Sequence, residues 1–518
     1  MGATGQVPRT AAQRRVLIAS VLGSGVVFLD GTVVNVALPA IRAALHGDLA
    51  DQQWVVEAYL LTLSSLLLIG GSLGDLRGRR RAMAEGVAGF GVCSVACAFA
   101  PTTQFLIGAR ALQGVFGALL VPCSLALITD NFPDDRQRGA AIGTWTAYTG
   151  VATVIGPLGG GWLIQAASWR WIFAINVVPV LVTLWMLPRI PESRREPGRI
   201  DLLGGALAGL GLAGPVFALI DEPGRGWTSP LILAPLLIGL ALLATLIRHE
   251  RRTKQPMLPL GLFAKRNFWV GNLTTFSLYG GLNIATFFLV LYLQQVGGYS
   301  PFHAGLALLP VTLVMFTLSR RFGLLAATVG PRLLMGFGPI VAGAGLLLER
   351  RIGADTPYLG TVLPGLLVFA LGLSMTIAPL TATVLGAVGR QHAGVASAVN
   401  NAVSRVGGLI SIAALGAVVA SAFQSRLVAQ TRGLPSSTRA AIQTARSHPL
   451  VTSDAYAPAR YRADLHRALV HASVGAFGVG MEIAAVLAVA GGLVSLIGIE
   501  RTRTASETAA PGTDPQPA

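Results

Sequence analysis

The sequence predicts an all-α polytopic membrane protein, and three observations carry that reading. Of its 518 residues, 53% are hydrophobic and only 12% charged, whereas a soluble globular chain carries about 25% charged residues. Mean hydropathy is +0.64, and apolar windows of about 20 residues, the length that crosses a bilayer as a helix, recur along the chain. The basic residues gather in short loops on one side of that pattern, as cytoplasmic loops do.

The windows predict fourteen spans: 16–41, 53–74, 82–99, 104–128, 139–164, 170–188, 202–220, 230–247, 267–296, 302–319, 333–349, 358–386, 393–421 and 469–499. They fall into a 6+2+6 order. A cytoplasmic tail (1–15) precedes a six-helix bundle (16–188). Charged linkers holding two extra spans (189–266) lead to a second six-helix bundle (267–499) and a disordered cytoplasmic tail (500–518). The fifth, ninth, twelfth and thirteenth spans are long, so tilts or kinks are expected. An even number of spans puts both termini on one side. That side takes Arg9, Arg14, Arg15, the loop 77–81 ("RGRRR") and the loops 133–138, 188–199 and 248–266, hence most of the 39 Lys and Arg. Both termini are therefore expected in the cytoplasm and the chain in the cell membrane. The loop 422–468, opposite, is polar and expected to be unstructured or a short helix, with an extracellular gate as the alternative.

Several function classes drop out. The net charge of +16 could suggest nucleic acid, but it lies in inter-span loops with no basic stripe carrying interleaved aromatics. Cys93, Cys97 and Cys123 sit in apolar segments without disulfide or metal spacing, so no metal and no cofactor is expected. No Walker sequence supports ATP-driven transport, and no constellation points to an enzyme. The first apolar run is too long for a signal-peptide core and reads as a retained helix.

The informative residues are the polar ones inside apolar spans. "FLDGTVVNVALP" (28–39) holds Asp30 and Asn35. An ionised Asp at a bilayer centre costs roughly 2.5–3.5 kcal/mol even on lenient insertion scales, so such a group faces a partner or a cavity. The same reasoning applies to Glu57 in "WVVEAYLL" (54–61) and to Arg110, three residues before Gln113, in "GARALQGVFGALLVP" (108–122). Arg110 reads as a group facing a cavity or as half of a structural ion pair. "GSLGDLRGRRR" (71–81) joins a glycine turn to one acid and four arginines. Gly71, Gly78, Asp75, Arg79 and Arg80 are expected to form a latch, Asp75 accepting from a facing helix terminus or an arginine. Glu85 is expected to pair with Arg81 one turn earlier. "GVATVIGPLGGGW" (150–162) sets Gly150, Gly156, Pro157, Gly159 and Gly160 in one helix, a kink with a groove for close packing. Asn272, Phe276, Tyr279, Asn283 and Phe287 recur at spacings of three or four and define one helix face, lining a cavity or packing on a neighbour. Trp145, Tyr148, Asn400 and Asn401 complete the candidate cavity residues, with Asn35 and Gln113. Glu482, in the last span, is expected to lie toward Arg405 or a cavity. A weak internal repeat aligns "GSLGDLRGRR" (71–80) with "GLLAATVGPR" (323–332), matching Gly71/Gly323, Leu73/Leu325, Gly78/Gly330 and Arg80/Arg332.

The motifs together resemble the major facilitator superfamily. The 71–81 stretch resembles its signature loop, with Leu76-Arg77 setting the first arginine one place late. Arg110, Gln113 and Gly114 resemble its fourth-helix R-x-x-Q-G motif, in which the arginine is implicated in proton transfer. The 150–162 run resembles its antiporter motif, found in exporters and generally absent from symporters. "LDGTVVNVALP", "WVVEAYLL" and "WRWIFAINVVP" (169–179) resemble segments of the branch with fourteen helices, the drug/proton antiporters. Asn400, Asn401 and Arg405 stand where some cation exporters of that group carry acids, which argues against a multivalent-cation specialism. The resemblance implies the major facilitator fold and proton-driven efflux of an amphipathic drug or antibiotic by alternating access, with the chain working as a monomer among membrane lipids. Asp30, Glu57 and Arg110 would couple protons. Two other classes stay open at this point: a proton symporter for a small metabolite and a non-transporting membrane sensor.

Overall fold

The computed structural model describes residues 10–193, 201–253, 256, 258–355, 357–388, 393–446, 449–450 and 459–500. The outer parts of both expected tails, including Arg9, Arg501 and Arg503, lie outside the described residues, as do 194–200, Lys254, Arg390 and residues 447–448 and 451–458 of the 422–468 loop.

The described residues are helical throughout, with no strand among them. Helices α1 (Ala11–Leu45), α2 (Leu49–Arg77), α3 (Arg79–Ala98), α4 (Thr103–Asn131), α5 (Asp135–Ala166), α6 (Trp171–Ala174) and α7 (Val177–Met186) form the first part. Helices α8 (Leu202–Arg225) and α9 (Pro230–Arg252) follow. The rest comprises α10 (Arg266–Gln295), α11 (Pro301–Ala307), α12 (Leu309–Val329), α13 (Pro331–Glu349), α14 (Leu363–Gly386), α15 (Ala393–Thr431), α16 (Arg439–Arg446) and α17 (Arg462–Gly498). Eleven helices among the described residues are long and apolar enough to cross a membrane, or twelve if the bent pair Leu49–Leu67 and Ile69–Arg77 counts as one span. The long α3 and α5 are not among these.

The polar residues between apolar windows start and stop these helices. Thr10 and Gln13 cap α1 reciprocally, and Asp48 and Asp51 do the same for α2, satisfying amide groups that the first turn leaves without partners. The chain reverses between α2 and α3 through Gly78 (φ 99°, ψ 130°) and between α12 and α13 through Gly330 (φ 84°, ψ 146°). Both are positions where a side chain would strain the backbone. These glycines are partners in the weak repeat, and their arginines also match. Arg80 donates to the Ile190 carbonyl beyond α7 at 3.2 Å, and Arg332 donates to the Leu496 carbonyl near the end of α17 at 2.5 Å.

The expected loop 422–468 is shorter in the structure. Helix α15 runs on to Thr431, α17 begins at Arg462, and the short α16 lies between them. Hydropathy windows stop where polar residues begin, but a helix continues wherever its residues are good helix formers. Glu482 does not meet Arg405: it pairs at 2.7 Å with Arg350, which follows the C-terminal end of α13. The expected Arg81–Glu85 pair is present at 3.3 Å.

Within α1–α7, α2 packs along α4, α3 on α4, and α1 on both α4 and α5. Within α10–α17, α13 packs on α14 and α17, α10 on α15 and α17, and α12 on α14. Helices α8 and α9 pair with each other, and α8 also lies on α2 and α15. The hydrogen bonds joining α1–α5 to α10–α15 lie away from the 77–81 arginines. Gln53 donates to the Ile412 carbonyl at 2.9 Å, Gln294 to the Val36 carbonyl at 3.0 Å, and Gln295 to Gln52 at 3.2 Å. There, Gly161 also abuts the Pro301 and Phe302 backbone, and Gly305 the Pro157 carbonyl.

Candidate functional site

Asp30 and Arg110 form an ion pair between α1 and α4, exposed by 0% and 1% respectively. Two charges removed from water are tolerable only when further hydrogen bonds support them, and several do here. Arg110 donates through Nε to the Val55 carbonyl at 3.0 Å and through Nη1 to Gln113 Oε1 at 2.7 Å. Its guanidinium carbon lies 4.2 Å from the Tyr59 ring centroid and 5.7 Å from that of Phe173, adding cation–π attraction. Asp30 Oδ1 accepts from Gln113 at 3.1 Å and from Asn176 at 3.0 Å. Both amides also reach Ser94 Oγ, at 3.3 and 3.0 Å. Tyr59 is held in turn by its hydroxyl, which donates to the Val27 carbonyl at 3.2 Å.

Sequence reasoning found Asp30, Arg110 and Gln113 but missed Ser94 and Asn176. Asn176 stands at the break between α6 and α7, where one expected span, 170–188, divides. Its signal was a lone amide inside the apolar run of "WRWIFAINVVP". Ser94 gave none, since serines are common in membrane helices.

Glu57 does not join this network. Its side chain is fully buried, and neither carboxylate oxygen has a hydrogen-bond partner. Gly114 sits where an added Cβ would lie 2.4 Å from the Tyr59 carbonyl, so α2 and α4 touch by backbone.

The latch residues assemble within the first part of the chain rather than across to the second. Asp75, near the end of α2, accepts at 2.9 Å from Arg79, the first residue of α3, across the Gly78 turn, and Arg79 also pairs with Asp130 at the end of α4. Arg80 pairs with Glu192 at 3.3 Å, whose Oε1 also accepts from the Arg80 amide at 2.9 Å. Asp130 and Glu192 were not foreseen. Gly78 sits against the Glu192 carboxylate, whereas Gly71 has only ordinary contact with Pro122.

Two of the motif glycines bring α1 and α5 together. A Cβ at Gly156 would lie 2.5 Å from Thr32 Oγ1, and one at Gly160 2.2 Å from Val33 Cγ2. Gly150 and Gly159 have space around them, while the unforeseen Gly161 is as tight as Gly160. Thr32 Oγ1 donates to the Thr153 carbonyl at 3.2 Å across the same joint.

Beside this joint lies a cavity of about 300 Å³ lined from α1, α5, α10, α11, α12 and α14. Asn35 and Asn283 both reach it, and Asn35 Oδ1 is buried without a hydrogen-bond partner. The other candidates do not line it. Asn400 donates to Asn272 at 3.2 Å and to Thr275 at 2.7 Å, tying α15 to α10. Asn401 turns back to the Ser397 carbonyl. Trp145 is buried edge-on to Phe28, and Tyr148 is exposed. Phe276 packs its backbone on Gly407, and Tyr279 lies one turn short of Asn283. The face that begins at Asn272 therefore packs on a neighbour at one end and lines the cavity at the other.

The sequence profile described as Major Facilitator Superfamily matches residues 20–412. This chain belongs to the major facilitator superfamily. It is a membrane transporter and not an enzyme. It is 38% identical to the puromycin resistance protein of Streptomyces alboniger over 76% of this chain and 79% of that one. It is 35% identical to the methylenomycin A resistance protein of Streptomyces coelicolor, over 76% and 82%. It is 33% identical to the tetracenomycin C resistance and export protein of Streptomyces glaucescens, over 78% and 76%. Among solved structures of the superfamily fold, a bacterial homologue of the human lysosomal transporter Spinster, inward-facing and unoccupied, superposes with a TM-score of 0.68 at 17% identity, covering 96% of this chain and all of that one.

Proposed function

We propose that this chain exports amphipathic drugs or antibiotics across the cytoplasmic membrane by exchanging them for protons, through alternating access of two six-helix bundles. The arrangement is 6+2+6. Helices α3 and α5 join the twelve more apolar spans as membrane helices, since each packs among them. The linker helices α8 and α9 are the extra pair, and the arginine-rich end faces the cytoplasm with both termini. The monomer is the working unit. The names of the resistance and export relatives support the substrate class.

The observation that carries the proton coupling is the division of α1. One face holds Asp30 in the buried network, and the adjacent residues Gly31, Thr32 and Asn35 line the cavity. A proton on Asp30 discharges its pair with Arg110. Arg110 keeps the Val55 carbonyl, Gln113 and the Tyr59 ring, so the cation stays in place while Asp30 changes its bonds. The change reaches α5 through the tight contacts at Gly156 and Gly160, and so the cavity wall. Each proton moving inward supplies about 2.3 kcal/mol per 100 mV and about 1.4 kcal/mol per pH unit. Glu57, buried without a partner, is a second proton carrier or the counter-charge of a cationic substrate.

The test is ethidium and puromycin susceptibility of an efflux-deficient host, with and without a protonophore, beside drug-driven proton release in proteoliposomes. Resistance that collapses with the protonophore and is lost in Asp30→Asn supports the reading. Resistance unaffected by both overturns it.

A further inference from the structure

We infer that substrate reaches the cavity sideways from the bilayer, through the gap between α5 and α12, and that α8 closes the corresponding gap on the other side. The inference rests on the export reading only for the chemistry of the occupant, an amphipathic molecule dissolved in the membrane.

The two seams between the halves of the molecule are built differently. At the α2–α15 seam, α8 lies along both helices. Leu61 of α2, Val216 and Ile220 of α8, and Leu409 and Ala413 of α15 form one buried apolar cluster. Helix α8 follows α2 over its length. Near one end, Trp54 donates to Asp221 at 3.1 Å; toward the other, a Cβ at Gly205 would strike Ile69. This apolar packing closes the seam from the Leu61 level toward Gly205. Beyond it, at the Trp54–Asp221 end, a cavity of about 890 Å³ opens between α2, α8 and α15, but its lining includes Asp48, Asp51, Asp221 and Arg225 and does not suit an apolar molecule.

At the α5–α12 seam the contacts sit at one end, where Gly161 meets Pro301 and Phe302 and Gly305 meets the Pro157 carbonyl. Toward the arginine-rich end the helices separate. Helix α12 has no buried residue, Phe316 is 77% exposed, and Tyr148 of α5 is 60% exposed. The cavity lies directly behind this gap: Thr153, Val154 and Leu158 line it from α5, and Val311, Thr312 and Met315 from α12. Its wall is apolar with the Asn35 and Asn283 amides set deeper, which suits a molecule entering with its apolar part against the lipid. The accessory pair α8–α9 thereby makes entry one-sided.

The test needs no known substrate. In a chain with Cys93, Cys97 and Cys123 replaced by alanine, Asn283→Cys is labelled with bimane and reconstituted in phosphatidylcholine vesicles. Quenching by spin-labelled phosphatidylcholine is compared with quenching by aqueous iodide. The lipid quencher is expected to be several-fold the more effective. Bridging Val154→Cys and Met315→Cys with a bis-maleimide should abolish lipid quenching, as should the double variant Val154→Trp/Met315→Trp, used where the bridge does not form. The disulfide Ser65→Cys/Gly209→Cys should leave it unchanged; it locks α8 onto α2 at a site where an added Gly209 Cβ lies 3.4 Å from Ser65 Cβ. Lipid quenching that survives closure of the α5–α12 gap, or that falls when α8 is locked, overturns the inference. A chain that passes this test and moves no drug would instead refute the export reading.

Discussion

Asn176 hydrogen-bonds Asp30 and Ser94 at 3.0 Å each from the break between α6 and α7. The interruption of a membrane helix thus places an amide where it holds a buried carboxylate. Replacing it removes a hydrogen bond to a charged group, worth about 1.5–3 kcal/mol. Asn176→Leu is expected to lower the thermal unfolding temperature in detergent and, on the proposed proton coupling, to shift the pH dependence of transport, whereas Asn176→Ser keeps a polar group and retains more of both. Transport rate against pH, with a melting curve for each variant, checks this.

Removing one member of a buried ion pair leaves the other charge uncompensated, at a cost of about 3–5 kcal/mol. Arg110→Ala is therefore expected to destabilise the fold strongly. The double variant Asp30→Asn/Arg110→Gln should recover much of the stability and, on the proposed function, should not recover proton-coupled export. Melting temperatures combined with vesicle transport separate the two effects.

Glu57 offers the opposite case. With no hydrogen-bond partner on either oxygen, Glu57→Gln loses no contact and is expected to keep or raise the melting temperature. On the proposed role, it should reduce resistance to cationic dyes such as ethidium more than resistance to neutral drugs. A susceptibility panel against both classes is the measurement, and equal loss for both would count against the counter-charge role.

Gly156 and Gly160 allow α1 and α5 to touch, while Gly150 and Gly159 have room. Overpacking a tight joint costs about 1–3 kcal/mol. Gly160→Val should destabilise and slow transport, and Gly150→Ala should do neither. The contrast within a single motif is read by melting temperature and resistance.

Arg350 and Glu482 pair with side chains 63% and 37% exposed. Such pairs contribute less than about 1 kcal/mol, so Arg350→Ala is expected to leave stability and resistance nearly unchanged, as a denaturation series would record.

The fold class was legible in the sequence because membrane insertion is a one-dimensional rule. Hydropathy summed over about 20 residues decides what enters the bilayer, and predicted spans such as 267–296 coincide closely with helices such as Arg266–Gln295. Helix ends were less legible: α15 and α17 extend past their apolar windows, because hydropathy reports the membrane boundary and hydrogen bonding the helix boundary. Asp30, Arg110 and Gln113 stood out since a polar group in lipid needs a reason to be there. Gly78 and Gly330 also matched in sequence, and both adopt the same positive-φ turn.

What the sequence determined by itself was a helical membrane chain with an acid, an arginine and close-packing glycines inside its apolar spans. Only the tertiary structure decided the partners. It brought Asn176 and Ser94 to Asp30, turned Asp75 toward Arg79 instead of a distant helix, left Glu57 unpaired and laid α8 over one seam while the other stayed open. The reason is physical. Burial and hydropathy add along the chain, whereas a hydrogen bond requires two side chains, 146 residues apart for Asp30 and Asn176, to meet within about 3 Å at a usable angle.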